Sequence, residues 1–491
     1  MISFRRIVLS PLCILLFCIH PEIGNSQSTK EKNSLDQIDE IVKEYVSLYK
    51  FNGNILIGKG NEIVYESSNG CANYEFGISN TKETKFRLAS LSKQFTASAL
   101  LVLEQEGKVD FNKPLSNYIK NLDPKIANKI TIHQILSHSS GLSRDIESLA
   151  DQKLGKEFIS LDKIIELINS SEFASKPGEK WAYSNLGYSL AAKVIESVTN
   201  VSYGEALDQI LFKPLGMNNT GHEKSSAMIF NKASGYVSLP TGIVKASYED
   251  KSYVIGAGSI YSTTGDLFIW SRALKNHTLL NKKNTEKLFT KQKGRYSYGW
   301  FVDTYVWPPV NDKTQAVNIH HDGGSPGFES KLSILTKHDA VIIILSNKLP
   351  SNLAKLANHL TNTYLGFDEG FPKPNGNQEF FNTLFTQGVD GVASLIKNWK
   401  VSKKNHLMPD ALEVLLVGRG YIDSQDYNKA ILVMDVLIKM KPKWSHPYLF
   451  KGIVLEEQEK YKEARELYKK VLEVRPGQSN AINRLRVLKQ K

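Results

Sequence analysis

With 491 residues, the chain is too long for one ordinary hydrophobic core and predicts two to four domains, and its 41% apolar content is that of a globular protein. Its net charge of +12 suggests a polyanion partner at first, but the charge is uneven. From residue 401 onward there are 18 Lys and Arg against 11 Asp and Glu, whereas the first 400 residues carry 44 against 39. The basic excess therefore belongs mainly to the tail, and no basic stripe with interleaved aromatics argues for nucleic acid.

In chain order, Arg5 and Arg6 precede an apolar run from Ile7 to Ile19, followed by the small residues Gly24 and Ser26. The run is too short for a spanning helix and contains Pro11, so residues 1–26 read as a secretory signal cleaved near Ser26, with an uncleaved anchor as the alternative. A secreted or periplasmic location follows, with no membrane span after cleavage. Cys13 and Cys18 leave with the signal, and Cys71 alone forms no internal disulfide. A helix is expected over Leu35 to Tyr49, then a hairpin from Gly53–Gly58 and Ile63–Tyr65 around Lys59–Glu62. A buried helix opens near Ser90, and residues 110–225 read as helices joined by polar loops, broken at Pro114, Gly141, Pro177-Gly178 and Pro214. Strand-like runs return at Ser297 to Val302, Lys331 to Leu335 and Val341 to Leu345, followed by a helix from Leu353 to Tyr364. Strands at both ends with helices between predict an α+β fold: one sheet assembled from remote parts of the chain, carrying a helical insertion.

Residues 367–377 read as a linker to a second, all-α domain over residues 378–491. There Gly418, Tyr427, Ala430, Met434 and Pro442 are matched by Gly452, Tyr461, Ala464, Tyr468 and Pro476, each pair 34 apart. That is the period of the tetratricopeptide repeat, which places two units at 411–444 and 445–478. A helical hairpin at Gln378 to Lys400 and a closing helix at Gln478 to Lys489 complete the stack. The array either buttresses the catalytic domain or offers a groove to a protein partner.

Three motifs carry chemistry. Ser90 and Lys93 share a helix face, so the amine lies against the hydroxyl and, desolvated, loses preference for its charged form. Such an amine takes the proton of a nucleophile. The Ser-x-x-Lys spacing occurs five times, and only Ser90 opens a long apolar helix; its competing use is as a helix cap. Tyr183-Ser184-Asn185 is more selective, since none of the other 20 tyrosines has Asn two positions on. Cations nearby draw a phenol pKa down and make a general base of Tyr183, while Asn185 holds Lys93 and donates to a substrate amide. Ser184 and Asn185 also fit a capping turn. In His321-Asp322-Gly323-Gly324 the glycine pair reads as a flexible loop whose backbone NH groups approach a reacting carbonyl, with His321 orienting the Tyr183 oxygen. Neighbouring His320 lacks the companion spacing of a zinc site, so neither metal nor cofactor is expected.

These motifs, with Leu136-Ser137-His138-Ser139-Ser140-Gly141-Leu142 and Gly256-Ala257-Gly258-Ser259-Ile260-Tyr261-Ser262, resemble the serine β-lactamase and penicillin-binding protein superfamily over residues 36–366, specifically the class C β-lactamase-related serine hydrolases. The resemblance implies an antiparallel sheet flanked by helices beside an all-helical subdomain. It also implies Ser90 as the acylated nucleophile, Lys93 as its proton partner, Tyr183 as the base that activates the deacylating water, and Asn185 on substrate. The oxyanion hole falls to the backbone NH groups of Ser90 and Gly324, with Gly323 and His321 lining the substrate side. His321 stands where relatives commonly carry Lys, and Asp322 where a small hydroxyl residue is usual; if Asp322 faces the cleft it disfavours carboxylate substrates, unless strand alternation turns it away. The expectation is a hydrolase acting through an acyl-enzyme on an amide or ester of a peptide or small molecule. The alternative is a non-catalytic sensor or scaffold recruiting a partner through the repeats.

Overall fold

The structure is a computed structural model that describes residues 29–145, 155–305, 316–367 and 369–488. The signal expected at residues 1–26 lies outside them. No helix among the described residues is long and apolar enough to cross a membrane.

Six antiparallel strands form the central sheet: β1 (Gly53–Lys59), β2 (Glu62–Asn69), β3 (Phe301–Tyr305), β4 (Ala316–Ser325), β5 (Phe328–Leu335) and β6 (Ala340–Ser346), in the order β3-β4-β5-β6-β1-β2. The N-terminal hairpin is thus zipped to strands almost 300 residues later, Ile55 opposite Ile344 and Leu56 opposite Ile343. Alternation divides the side chains between two cores. Ile55, Ile57, Ile342 and Ile344 pack under the Thr29–Tyr49 and Leu353–Tyr364 helices, while Leu56, Ile343 and Leu345 face the larger core. That second core holds the Ser92–Gln105 helix, which is buried on every side from Ser92 to Leu103, and the helical insertion around it. This is an α+β fold with a helix-covered antiparallel sheet and a helical subdomain.

The N-terminal helix begins at Thr29, six residues before the expected start. The run Ser297–Val302 is a strand only from Phe301, because Ser297 to Trp300 turns back to place Tyr296 opposite Phe301. The larger correction concerns His321 to Gly324, which lie inside strand β4 rather than in a loop. Gly323 pairs with Ser330 and Gly324 with Glu329. Glycine is needed there for close approach: a Cβ on Gly323 would lie 2.1 Å from the Leu88 carbonyl oxygen.

Beyond Tyr364 a helical region begins at Asn377. Its first helical run, Asn377–Val401, is broken at Gly388, where φ is +70°. Two helix pairs follow, Ala411–Asp423 with Tyr427–Met440 and Ser445–Glu457 with Tyr461–Val474, and a last helix, Ser479–Leu488. Equivalent ends of the pairs are 34 residues apart. The matched glycines are crossing points: a Cβ on Gly418 would lie 2.5 Å from Met434 Cε, and one on Gly452 would lie 2.5 Å from Tyr468 Cε1. The region shares a core with the α+β domain through Val237, Leu239 and Leu349, packed with Phe380, Phe381 and Leu384.

Candidate active site

Ser90 sits in a 3-10 turn, Ala89–Leu91, that feeds directly into the Ser92–Gln105 helix. Ala89 is held at φ +46°, which a residue with a Cβ adopts only when its surroundings impose it. Here the Leu88 carbonyl accepts from Ser330 Oγ at 2.7 Å, and the Leu88 NH donates to Ile260 O at 2.9 Å. Ser90 is not the helix cap. Its Oγ lies 3.2 Å from Lys93 Nζ and accepts from the Tyr183 hydroxyl at 3.0 Å.

Lys93 has no solvent exposure, and burial drives its amine well below the ordinary lysine pKa. Its Nζ donates to the Ala257 carbonyl at 2.8 Å and stands 4.8 Å from the Tyr183 ring centre. The segment from Gly256 to Ser262 thereby has a definite task, presenting one carbonyl to the lysine. Gly256 is required at φ +79°, where a Cβ would lie 2.2 Å from the Tyr188 carbonyl oxygen.

Tyr183 departs from expectation. Burial raises its phenol pKa, and the Ser90 hydrogen bond and the nearby Arg144 charge do not reverse the shift. The phenol is a donor to Ser90 in the resting site, not a phenolate. His138, whose backbone is left-handed at φ +56°, clamps this residue from both sides. The Ala182 NH donates to the His138 carbonyl at 2.8 Å and the Ser184 NH donates to His138 Nδ1 at 3.1 Å, while the imidazole lies 4.2 Å from the Tyr183 ring. Burial keeps His138 neutral. Ser184 caps the Asn185–Thr199 helix by accepting from the Gly187 NH at 3.2 Å, so the capping turn and the site share one motif.

Asn185 is at the site but does not hold Lys93. Its Nδ2 donates to the Asp145 carboxylate, and its Oδ1 is a buried acceptor without a partner among the described residues. His321 makes no hydrogen bond to Tyr183 among the described residues, and their ring centres are 6.5 Å apart. Its Nδ1 donates to the Asp322 carbonyl at 2.7 Å, which leaves Nε2 to accept from the Tyr296 hydroxyl at 3.1 Å. Burial lowers its pKa to about 3, so His321 is neutral at physiological pH. Gly323 runs against the Ser90 backbone, its Cβ position 3.1 Å from Ser90 N, while the neighbouring Gly324 faces open space.

Asp322 alternates to the other face of the sheet. Its side chain is 57% exposed and accepts from Lys331 Nζ at 2.6 Å, with His320 Nδ1 at 3.9 Å. Against the cost of partial burial, His320 and Lys331 hold its carboxyl well below the usual range. It does not face the cleft. Tyr296, His138, Arg144 and Asp145 escaped the sequence reading as site residues. The last two follow the Gly141-Leu142 motif after Ser143, and only that proximity signals them; Arg144 stands 5.1 Å from the Tyr183 ring centre.

Residues 38–363 match the β-lactamase family model. Penicillin-binding protein 4* of Bacillus subtilis (strain 168) is 29% identical over 335 residues, covering 65% of this chain and 73% of its own. The structure of a penicillin-binding protein from Bacillus halodurans superposes with a TM-score of 0.55 at 26% identity, over 65% of this chain and 98% of that one. The D-amino acid amidase of Ochrobactrum anthropi SV3 shares the fold at a TM-score of 0.59 and 21% identity, over 68% of this chain and 98% of its own. The family match spans two thirds of the sequence and contains each of the residues gathered around Ser90, so the chain belongs to the β-lactamase family.

Proposed function

We propose that the protein is a secreted or periplasmic serine hydrolase that cleaves amides or esters, of the D-alanyl peptide or ester type, through an acyl-enzyme on Ser90. The observation that carries this is the position of Ser90 Oγ, 3.2 Å from a buried amine and 3.0 Å from a protonated phenol. A neutral Lys93 has one lone pair and two N–H bonds, one of them donated to Ala257 O, and stands close enough to Ser90 to take the serine proton. Ser90 Oγ attacks the substrate carbonyl carbon as its proton passes to Lys93 Nζ. The oxyanion that forms is met by the NH groups of Ser90 and Gly324. When the C–N or C–O bond breaks, the leaving group takes a proton from Tyr183, whose oxygen then takes the proton that Lys93 Nζ received from Ser90. Water then adds to the acyl carbon by the reverse route, releasing the acid and restoring the Ser90 hydroxyl. Asn185 Oδ1, an acceptor without a partner among the described residues, suits a substrate NH.

The helical region reads as two tetratricopeptide units, supported by the 34-residue offset of both helix pairs. Its shared core with Val237 and Leu239 favours a role attached to the catalytic domain over a detached recruiting arm.

The test is the intact mass of the mature protein and of Ser90→Ala after incubation with a fluorophosphonate and, separately, with a penicillin. Labelling lost in the variant establishes the nucleophile, and a penicillin adduct or turnover points to peptidase or β-lactamase chemistry. No labelling of a folded protein discards the hydrolase and leaves a sensor or scaffold.

A further inference from the structure

The tripeptide Ser143-Arg144-Asp145 runs against Tyr183-Ser184-Asn185. The Ser143 carbonyl accepts from Ser184 Oγ at 2.7 Å, the Arg144 carbonyl accepts from the Asn185 NH at 2.7 Å, and Asp145 Oδ1 accepts from Asn185 Nδ2. The Arg144 guanidinium lies 5.1 Å from the centre of the Tyr183 ring, whose hydroxyl donates to Ser90 Oγ at 3.0 Å. Arg144 Nε also donates to Asp145 Oδ2 at 3.1 Å. The Asp145 carboxylate is thus held between a guanidinium and the Asn185 amide, on the wall of the cleft that carries Tyr183.

This contact decides which way round Asn185 stands. A side-chain amide has a donating end and an accepting end of nearly the same shape, so its partners set its orientation. A carboxylate only accepts, and the amide nitrogen must therefore face Asp145; turned over, Asn185 would set its carbonyl oxygen against a negative charge. The end away from Asp145 is the acceptor. Asn185 Oδ1 is buried and has no hydrogen-bond partner among the described residues, and Lys93, the nearby cation, donates to the Ala257 carbonyl instead. A site built around such an oxygen favours a ligand that donates to it and disfavours one that brings a second lone pair.

We propose that Asp145 is a positioning residue that presents the Asn185 amide to the substrate oxygen-first, and that the protein thereby selects acyl groups with an N–H beside the scissile carbonyl, as in peptides and aminoacyl esters, over acyl groups with an ester oxygen there. The inference rests on the acyl-enzyme reading of Ser90. It reverses the donor role that the sequence suggests for Asn185. Arg144 takes part by holding the second oxygen of the carboxylate.

The test uses the full-length mature protein and two p-nitrophenyl esters that differ only in N–H against O, N-acetyl-D-alanyl and O-acetyl-D-lactyl, each rate corrected for the intrinsic reactivity of its ester. The wild type is expected to favour the alanyl ester in kcat/KM by roughly hundredfold, because the lactyl oxygen sets a lone pair against Asn185 Oδ1 where the amide brings a proton. In Asp145→Ala the Asn185 amide is free to turn, and the ratio is expected to fall by about tenfold or more, whatever happens to the absolute rates. Asp145→Asn is isosteric, and its own carbonyl can still accept from Asn185 Nδ2, so it is expected to give an intermediate ratio and serves where the alanine variant fails to fold. A merely structural role would slow both esters alike. The proposal is overturned by a ratio that neither variant changes, or by a wild type that hydrolyses the two esters equally. Fluorophosphonate labelling of the wild type in parallel separates the two ideas: a labelled Ser90 with equal ester rates removes the selection by Asp145 and keeps the nucleophile, whereas a folded protein that is not labelled removes the nucleophile itself.

Discussion

Strand β4 carries two histidines back to back, and their surroundings differ as much as any two places in the molecule. On the inner face His321 stands with Lys93, Tyr183, His138 and Tyr296, and burial suppresses ionisation: the lysine and both histidines are pushed toward neutrality and the phenol is kept protonated. On the outer face, one residue away in either direction, His320 bonds to Asp303 at 2.9 Å and the Asp322 carboxylate is paired with Lys331 at 2.6 Å. One face holds the desolvated cluster around Ser90 and the other anchors the strand. Alternation along a single strand achieves both.

The largest test of this contrast removes the suppressed charge. Lys93→Met is expected to lower kcat/KM by roughly 10³- to 10⁴-fold, the scale of losing one member of a nucleophile-activating group, and yet to raise Tm. The sign follows from linkage. Burial sets the folded pKa of Lys93 below its unfolded value of 10.5, so between those two values the unfolded chain holds more protons and stability rises with pH. At neutral pH the buried amine therefore costs stability, and the variant is expected to gain about 1 kcal/mol and to lose that part of the pH slope. Thermal melts at pH 6 and pH 9 on both proteins check it; a Tm that falls at both refutes the suppressed charge. In the wild type, kcat/KM is expected to fall on the acid side as Lys93 takes up a proton, with His321, at about 3, titrating too low to set that limb.

Tyr183→Phe is next in size. It deletes the donor to Ser90 Oγ but leaves the lysine lone pair, so a loss of roughly 10²-fold in kcat is expected, less than for Lys93. Equal losses would return the base role to the phenol. Single-turnover acylation compared with steady-state rates separates its part in acyl transfer from its part in deacylation.

These roles were partly legible in the chain itself. Ser90, Lys93 and Tyr183 stand in short motifs whose spacing reports their proximity, and the structure brings them within hydrogen-bond reach. What spacing does not report is solvation. Cations near Tyr183 argue for a lowered phenol pKa, but the desolvation that defeats them depends on rings such as His138 and Tyr296, which come from two distant segments. The same limit explains His321 to Gly324: a glycine pair reads as a loop when its strand partners, Ser330 and Glu329, are unknown. In the tail, the 34-residue offset located both helix pairs, while the contact of Gly420 with Val237 was not encoded in any repeat.

On the outer face, Asp322→Asn is expected to destabilise by about 1 to 2 kcal/mol, because Lys331 is only 8% exposed and would lose the carboxylate that compensates its burial. The sign with pH is the reverse of that for Lys93. The Asp322 carboxyl is depressed in the folded state, so its contribution is complete above the unfolded pKa and is lost as pH falls through the folded one. Urea melts at pH 7 and pH 3 should show the variant and wild type drawing together in acid.

The smallest expected effect is on specificity. An inward Asp322 would repel a substrate carboxylate, by roughly 4 kcal/mol at about 4 Å for an effective dielectric near 20. An outward one, neutralised by Lys331, leaves the cleft almost untouched. Asp322→Thr should therefore change the ratio of kcat/KM for carboxylated and neutral substrates by less than about twofold, even as it costs stability. A tenfold rise in that ratio would mean that the carboxylate reaches the substrate after all, and with it the separation of the two faces of β4 would fail. The sheet would then hold a charged inner wall, and the neutral His321 beside Lys93 would need another explanation than burial.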